Sequence, residues 1–211
     1  MSVRKLLAAV ASEVVVCVKC PLCKSRKNAV PGGGSLRAKI LFVGEAPGSS
    51  EDAVGRPFVG AAGKLLDRLL GQSGLKRKSV FITNVVKCRP PKNRKPHRLE
   101  IQTCTPYLIR QIKIIRPGLI VALGSTAAGY LLPEAGLPFS KITQIHGRFH
   151  EGRLDDQKVA LFATFHPAAI LRGGKYRQEI TNDFALLRKD RRTQNATRAR
   201  QIHTTSSRAR N

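Results

Sequence analysis

Residues 44–67 read GEAPGSSEDAVGRPFVGAAGKLLD, and they lie between two segments of different periodicity. The segment before them, Lys39–Val43 (KILFV), is short and apolar, which is typical of a buried parallel strand. The segment that ends them, residues 63–70, has apolar residues at helical spacing. A strand that leads through a glycine- and proline-rich loop into a helix places that loop at the carboxyl edge of an open α/β sheet, where such sheets bind ligands. This stretch therefore predicts both a fold class and the position of a binding site.

The strand-then-helix pattern recurs along the rest of the chain. Further strands are predicted at residues 79–83, 118–124 and 159–164, and helices at 98–115, 125–132 and 175–192. Residues 142–150 and 157–164 are expected to pair as an antiparallel hairpin. The order of elements predicts a three-layer α/β/α fold around a central, mainly parallel four-stranded sheet, in one domain spanning residues 1–192.

The charge of the chain predicts a polyanionic partner. Its 211 residues carry 38 Lys and Arg against 13 Asp and Glu, a formal net charge of +25. Such a field suits nucleic acid or an anionic membrane surface. No apolar run approaches the roughly 20 residues that span a bilayer, and the basic segment 193–211 lacks bulky apolar anchors, so nucleic acid is favoured. We expect residues 193–211 to be a flexible, disordered basic tail that adds salt-sensitive DNA affinity.

The first residues allow two interpretations. Residues 1–12 resemble a secretory signal, with a basic start, an apolar stretch and small residues. However, Glu13 and the apolar residues 14–16 continue directly into a cysteine cluster. This favours an amphipathic helix over residues 2–16, and we therefore expect an intracellular protein.

Five cysteines indicate a metal or cluster site. They are Cys17, Cys20, Cys23, Cys88 and Cys104. An odd number argues against a disulfide framework, and the two-residue spacing of Cys17 and Cys20 lets both thiolates face one metal. Cys88 and Cys104 could complete a four-thiolate site, which leaves one cysteine over. The residues alone do not distinguish tetrahedral zinc from a [4Fe–4S] cluster.

Three polar residues lie within two positions of the end of a predicted strand. Glu45, Asn84 and His166 all lie at carboxyl ends, so we expect them at one edge of the sheet. An asparagine amide can pair in bidentate fashion with the carbonyl–imide edge of a base. The ordinary alternatives are that Asn84 caps a turn and that His166 caps a helix.

Four motifs in this order resemble the family 4 uracil-DNA glycosylases, the iron–sulfur type. They are the cysteine segment C-x2-C-x-L-x3-R-x3-V-x-G-x-G, then GEAPG with ED, GRPFVG and AG-x-LLD, then ITN-x-VKCRPP-x-NR, and finally HPAAILR. The resemblance covers about residues 14–172 and departs from the family in Cys23 and the long basic tail. Glu45 also separates the chain from family 5, which is apolar there.

The resemblance implies a monofunctional enzyme that hydrolyses the N-glycosidic bond of deoxyuridine in DNA. Glu45 would position or activate the water and stabilise the oxocarbenium-like sugar, and His166 would stabilise the departing base. Phe58 would stack on the flipped uracil, and Asn84 would read its edge. Further residues implied by the family are, for the base, Gly44, Ala46, Pro47 and Gly48; for the DNA, the wedge Leu171 and the phosphate contact Arg172; and for a [4Fe–4S] cluster, Cys17, Cys20, Cys88 and Cys104.

The expected partner is uracil-containing DNA, double- or single-stranded. We expect a monomer that does not bind a membrane. For a sliding clamp, the chain has no clear docking peptide. Side activity on hypoxanthine or xanthine stays open. Two competing classes are a non-catalytic DNA-binding protein with zinc or an iron–sulfur cluster, and an RNA-processing enzyme. The set Glu45, Phe58, Asn84 and His166 at one sheet edge argues against a pure binding protein.

Overall fold

The computed structural model describes residues 1–171, 173–174 and 176–190 of the chain. The proposed phosphate contact Arg172 and the basic tail 193–211 lie outside the described residues.

The centre of the fold is one six-stranded sheet with the order β1-β3-β2-β4-β6-β5. The strands are β1 (Gly33–Gly34), β2 (Ile40–Gly44), β3 (Phe81–Asn84), β4 (Leu119–Leu123), β5 (Phe149–Leu154) and β6 (Gln157–Thr164). The four inner strands β3, β2, β4 and β6 run parallel, which confirms the predicted core. The two edge strands pair antiparallel and extend it.

Eight α-helices surround this sheet in the described part of the chain. They are α1 (Val3–Val15), α2 (Ser49–Val54), α3 (Ala61–Gln72), α4 (Arg98–Ile115), α5 (Ser125–Glu134), α6 (Ile142–Ile145), α7 (Ala168–Leu171) and α8 (Arg177–Lys189). Helix α4 has the predicted bounds. The predicted hairpin is shorter than expected, because residues 142–145 are helical and only β5 pairs with β6.

The sheet is covered on both faces, as a three-layer fold requires. Alternate residues of β2 separate: Leu41 and Val43 join the core that includes buried residues of α1, α4 and α5. Ile40 and Phe42 join the opposite core, which includes residues of α3 and α8. All five residues of β2 are buried, as expected for an inner parallel strand.

The parallel pairing aligns the carboxyl ends of the central strands. Gly44 at the end of β2 lies opposite Asn84 at the end of β3. On the other side of β2, β4 ends at Leu123 opposite Thr164 of β6. Among the residues described, none of the helices combines the length and the apolar character that crossing a bilayer requires.

Candidate active site

A cavity of about 320 Å³ opens at this carboxyl edge. Seven residues expected from the sequence line it together: Glu45, Ala46, Pro47, Gly48, Phe58, Asn84 and His166. Gly44 lies directly behind Asn84 and Phe58. The topology thus brings together side chains that are up to 121 positions apart in the sequence, from Glu45 to His166. Their chemical roles stay predictions.

The sequence reasoning missed seven other lining residues. They are Glu51, Ala62, Pro90, Asn93, Arg94, Ala168 and Ala169. Asn93 and Arg94 belong to the motif that also contains Asn84 and Cys88. Ala168 and Ala169 follow His166 in its own motif, which was a usable signal.

Glu51, in the short helix α2, shapes the connection between β2 and α3. Its carboxylate accepts hydrogen bonds from the backbone N–H of Gly48 at 3.1 Å, and from Val59 and Gly60 at 2.8 Å each. Backbone donors that lie on separate parts of the loop therefore meet on one side chain. An ionised carboxylate that accepts several backbone N–H groups makes comparatively strong hydrogen bonds. Glu51 consequently holds the loop around the cavity.

Phe58 adopts a conformation that depends on close approach to glycine. Its φ is 51°, in the left-handed region that a phenylalanine rarely occupies. A Cβ on Gly63 would overlap the Phe58 carbonyl, and one on Gly44 would lie 2.6 Å from Phe58 Cζ. The ring centroid lies 5.6 Å from that of His166, with the planes at 33°. Two aromatic rings therefore form one wall of the cavity.

Asn84 presents a buried amide without partners. Its side chain is 1% exposed, and within the described residues neither Nδ2 nor Oδ1 has a hydrogen bond. An unsatisfied buried polar group costs about 1–3 kcal/mol. Buried polar groups left unpaired in a folded protein are uncommon and need an explanation. A cavity ligand that offers one acceptor and one donor would satisfy both atoms.

His166 has a defined tautomer. The backbone N–H of Ala168 donates to its Nδ1 at 3.2 Å. This hydrogen bond assigns Nδ1 as the acceptor nitrogen and leaves Nε2 as the ring nitrogen that can donate.

The carboxylate of Glu45 is oriented by a neighbouring strand-to-helix turn. Thr126 in the first turn of α5 donates its hydroxyl to Glu45 Oε2 in a short hydrogen bond. Thr126 is buried and follows β4, which pairs with β2, the strand that precedes Glu45. The register of the sheet thus fixes one carboxylate oxygen at the cavity.

A basic loop forms one rim of the cavity. Residues 89–98, which comprise the loop before α4 and the first residue of that helix, contain Arg89, Lys92, Arg94, Lys95 and Arg98 and no acidic residue. Pro90, Asn93 and Arg94 of this loop line the cavity. The loop is braced at its base, because Arg94 donates to both carboxylate oxygens of Glu100 at 2.7 and 2.8 Å. These hydrogen bonds hold the pKa of Glu100 below its usual value.

Leu171 at the end of α7 leaves a hydrophobic side chain in solvent. It is 50% exposed, which is unusual for a leucine beside an otherwise buried helix residue, Ile170. It follows the cavity residues Ala168 and Ala169.

A second cavity is lined by all five cysteines. Cys17, Cys20, Cys23, Cys88 and Cys104 surround it together with Arg26 and Lys87. Arg26 Nη1 donates to Cys88 Sγ at 3.0 Å, and the backbone N–H of Lys87 donates to Cys104 Sγ at 3.2 Å. One guanidinium group and one backbone N–H therefore contact the thiol groups.

Burial sets the protonation of these groups. It raises the pKa of the Cys104 thiol to about 11 and raises that of Cys88 as well, while it lowers the pKa of Lys87 to about 8. Buried thiols with raised pKa values ionise when a metal displaces the proton. Within the described residues, no three His, Cys, Asp or Glu side chains converge tightly enough for a single ion.

Comparison with known proteins gives a consistent result. The model of the uracil DNA glycosylase superfamily matches residues 31–185, well over half of this chain. Among curated proteins, the chain is similar to a type-4 uracil-DNA glycosylase of Pyrobaculum aerophilum, with 51% identity over 81% of this chain and 87% of the relative. A protein of the same name from Saccharolobus solfataricus is 49% identical over 83% and 82% of the two chains, and one from Thermotoga maritima is 46% identical over 80% and 84%.

Proposed function

This chain belongs to the uracil DNA glycosylase superfamily and to its type-4 uracil-DNA glycosylases, and from that premise we propose how its cavity releases uracil from DNA. The enzyme is a hydrolase that acts on N-glycosyl bonds. In the proposed reaction the bond between C1′ of deoxyribose and N1 of uracil breaks, its electron pair goes to the base, and water adds to C1′. The product is an abasic site for repair.

The observation that carries this proposal is the unpartnered amide of Asn84. Uracil offers the O4 acceptor and the N3–H donor side by side, so Nδ2 can donate to O4 while Oδ1 accepts from N3–H. Cytosine reverses both, with an amino donor at C4 and an acceptor at N3. An amide held in one orientation therefore favours uracil over cytosine, because the wrong base leaves both buried groups unpaired.

The target base must leave the duplex to reach this amide. Flipping costs a few kcal/mol, which contacts in the cavity must offset. Stacking of Phe58 on the uracil ring contributes about 1–3 kcal/mol, a typical value for an aromatic side chain against a base. Exposed Leu171 fills the space the base vacates, and the basic loop 89–98 contacts the phosphate backbone.

His166 stabilises the departing base. Because Nδ1 accepts from Ala168, the Nε2–H is the donor that can reach uracil O2. Negative charge on O2 builds only as the glycosidic bond breaks, so this hydrogen bond strengthens in the transition state and lowers the barrier.

Glu45 acts on the sugar and the water. With Oε2 held by Thr126, its carboxylate can position a water molecule and stabilise the oxocarbenium-like C1′ by charge. The described residues that line the cavity include no lysine, so no amine is available for a Schiff base. We therefore propose a monofunctional glycosylase without lyase activity.

Cys17, Cys20, Cys88 and Cys104 would hold a [4Fe–4S] cluster. The residues fit it, because these four cysteines line one cavity together with Cys23. Four thiolates suit zinc as well as a cluster, and membership of the type-4 enzymes favours the cluster. When bound, it would supply structural cross-linking between the segment of Cys17 and the segment of Cys88, with Arg26 donating to Cys88 Sγ.

The test is cleavage of an end-labelled oligonucleotide that carries one deoxyuridine, opposite guanine, opposite adenine or single-stranded. Strand breaks that arise only after alkali would support monofunctional excision. Breaks without alkali would contradict the absence of lyase activity. Absence of any product from iron-loaded protein would leave a non-catalytic DNA-binding protein as the better reading.

A further inference from the structure

Lys87 is a fully buried ammonium whose three protons are all used. Its side chain is 1% exposed. Nζ donates to Thr83 Oγ1 at 2.6 Å, to the backbone oxygen of Asn84 at 2.8 Å and to Gln111 Oε1 at 2.9 Å. An ammonium has three donors, so these acceptors saturate it. The side chain thereby joins the end of β3 to α4.

None of these three acceptors is a carboxylate. Taking an ammonium out of water costs several kcal/mol unless negative charge lies nearby. The main chain of the same residue contacts the thiol site, because the Lys87 backbone N–H donates to Cys104 Sγ at 3.2 Å and Cys88 is the next residue. Lys87 therefore links the thiol site, through its main chain, to Thr83, Asn84 and Gln111, through its ammonium group.

Asn84 depends on its backbone for orientation. Its amide atoms have no hydrogen-bond partners in the described residues, so no neighbouring side chain orients them by a hydrogen bond. The backbone is held by the pairing of Asn84 with Gly44, by the hydrogen bond from Val85 N–H to the Gly44 oxygen at 2.9 Å, and by Lys87 on the Asn84 carbonyl. Of these contacts, only Lys87 leads to the cysteines.

We propose that Lys87 is a positioning residue through which the thiolate site orients the amide of Asn84, and that base selectivity depends on it. The inference rests on the proposed role of Asn84 in reading uracil. It gives the cysteine site a function beyond cross-linking, because the site contacts the main chain of the residue whose ammonium group holds the Asn84 carbonyl.

The test measures binding, without turnover, by iron-loaded Lys87→Met. The probes are two duplexes that differ in one nucleotide, 2′-fluoro-2′-deoxyuridine or 2′-fluoro-2′-deoxycytidine, whose fluorine suppresses glycosidic cleavage. We expect the ratio of the two dissociation constants to fall about tenfold toward one, as for loss of about one buried hydrogen bond. Lys158→Met, on an exposed lysine of β6, should keep the wild-type ratio and serves as the control.

A purely structural role would lower the melting temperature of Lys87→Met and leave the ratio unchanged, which would overturn the proposal. If Lys87→Met does not fold or take up iron, Gln111→Met serves as the test variant. Gln111 lies in α4, far from Asn84 in sequence, and its substitution removes one of the three acceptors of Lys87. A fall of at least threefold in the ratio supports the proposal, and an unchanged ratio refutes it. A wild-type protein that neither prefers the uracil probe nor excises uracil would instead refute the proposed function itself.

Discussion

Gly44 shows how the cavity depends on the absence of one methyl group. A Cβ at this position would lie 2.6 Å from Phe58 Cζ and closer still to Asn84 Oδ1. The Phe58 ring and the Asn84 amide, which we propose stack on and read the base, therefore both pass over the same glycine. The backbone of β2 is buried and paired on both sides at this end, so it cannot move away cheaply.

We predict that Gly44→Ala impairs excision more than stability. Overpacking should cost about 1–3 kcal/mol of unfolding free energy, and the displaced Phe58 or Asn84 should lower single-turnover uracil excision by about tenfold or more. Gly71→Ala is the matched control. Gly71 lies in α3 with nothing within 4 Å of an added Cβ, so alanine should stabilise the protein by about 0.5–1 kcal/mol without changing excision. Wild-type excision by Gly44→Ala would refute this packing argument.

At the residue scale, the sequence located the site through strand ends. Glu45, Asn84 and His166 each lie within two positions of the end of a predicted strand, so parallel topology alone predicts that they meet. Glu51, Asn93 and Arg94 reach the cavity because of loop paths, which depend on hydrogen bonds such as those of Glu51 to Val59 and Gly60. Periodicity carries no information on such paths, and these residues were missed.

At the element scale, the segment that carries Cys17, Cys20 and Cys23 is attached to the rest of the fold by hydrogen bonds to two separate parts of the chain. Buried Asp52 in α2 accepts backbone hydrogen bonds from Lys27 at 2.9 Å and Asn28 at 3.4 Å. The N–H of Val30 donates to the Lys87 oxygen at 2.7 Å. These hydrogen bonds connect the residues just after the first cysteines to α2 and to Lys87, the residue before Cys88.

We predict that Cys88 and Cys23 differ sharply although both line the same cavity. Cys88→Ala should lose bound iron and lower the melting temperature by more than about 5 °C, since 2 kcal/mol corresponds to about 4–8 °C in a domain of this size. Cys23→Ala should keep the wild-type iron content. Iron and sulfide per protein, with thermal melting, measure both. Full iron in Cys88→Ala, or its loss in Cys23→Ala, would reassign the ligands.

Element boundaries could be predicted where a strand is buried on both faces of the sheet, because its sequence is then a continuous apolar run. The inner strands and α4 follow from apolar runs and helical spacing. The two-residue β1 is too short to have a pattern, and β5 (FHEGRL) mixes exposed and half-buried residues at the edge of the sheet. Residues 142–145 form a single helical turn, which the sequence does not distinguish from a short strand.

At the scale of the whole molecule, the net charge of +25 sets general affinity for DNA rather than specificity. Composition alone predicts this positive field. The structure adds that the cationic loop 89–98 lies beside the cavity, which makes it the candidate surface for DNA contact there. Lys158, near the start of β6, lies toward the opposite edge of the sheet from the carboxyl ends that form the site.

We predict that Lys92→Ala reduces the salt dependence of binding to undamaged duplex. Each phosphate contact contributes about −0.9 to the slope of log affinity against log salt, so the slope should become shallower by about one. Lys158→Ala, which removes the same charge elsewhere, should leave the slope unchanged. Titrations of labelled duplex at several salt concentrations measure it. Equal effects of the two substitutions would mean that loop 89–98 is not the contact surface.

The most direct test of the central claim is the base selectivity of Asn84→Asp. A carboxyl group replaces the Nδ2 donor, so the pairing with uracil O4 is lost while an acceptor that can face the cytosine amino group appears. We predict that single-turnover excision of uracil falls by roughly 10- to 100-fold, corresponding to about 1–3 kcal/mol, and that the rate ratio of uracil to cytosine narrows. Wild-type excision together with wild-type selectivity in this variant would contradict the claim that the buried amide reads the base.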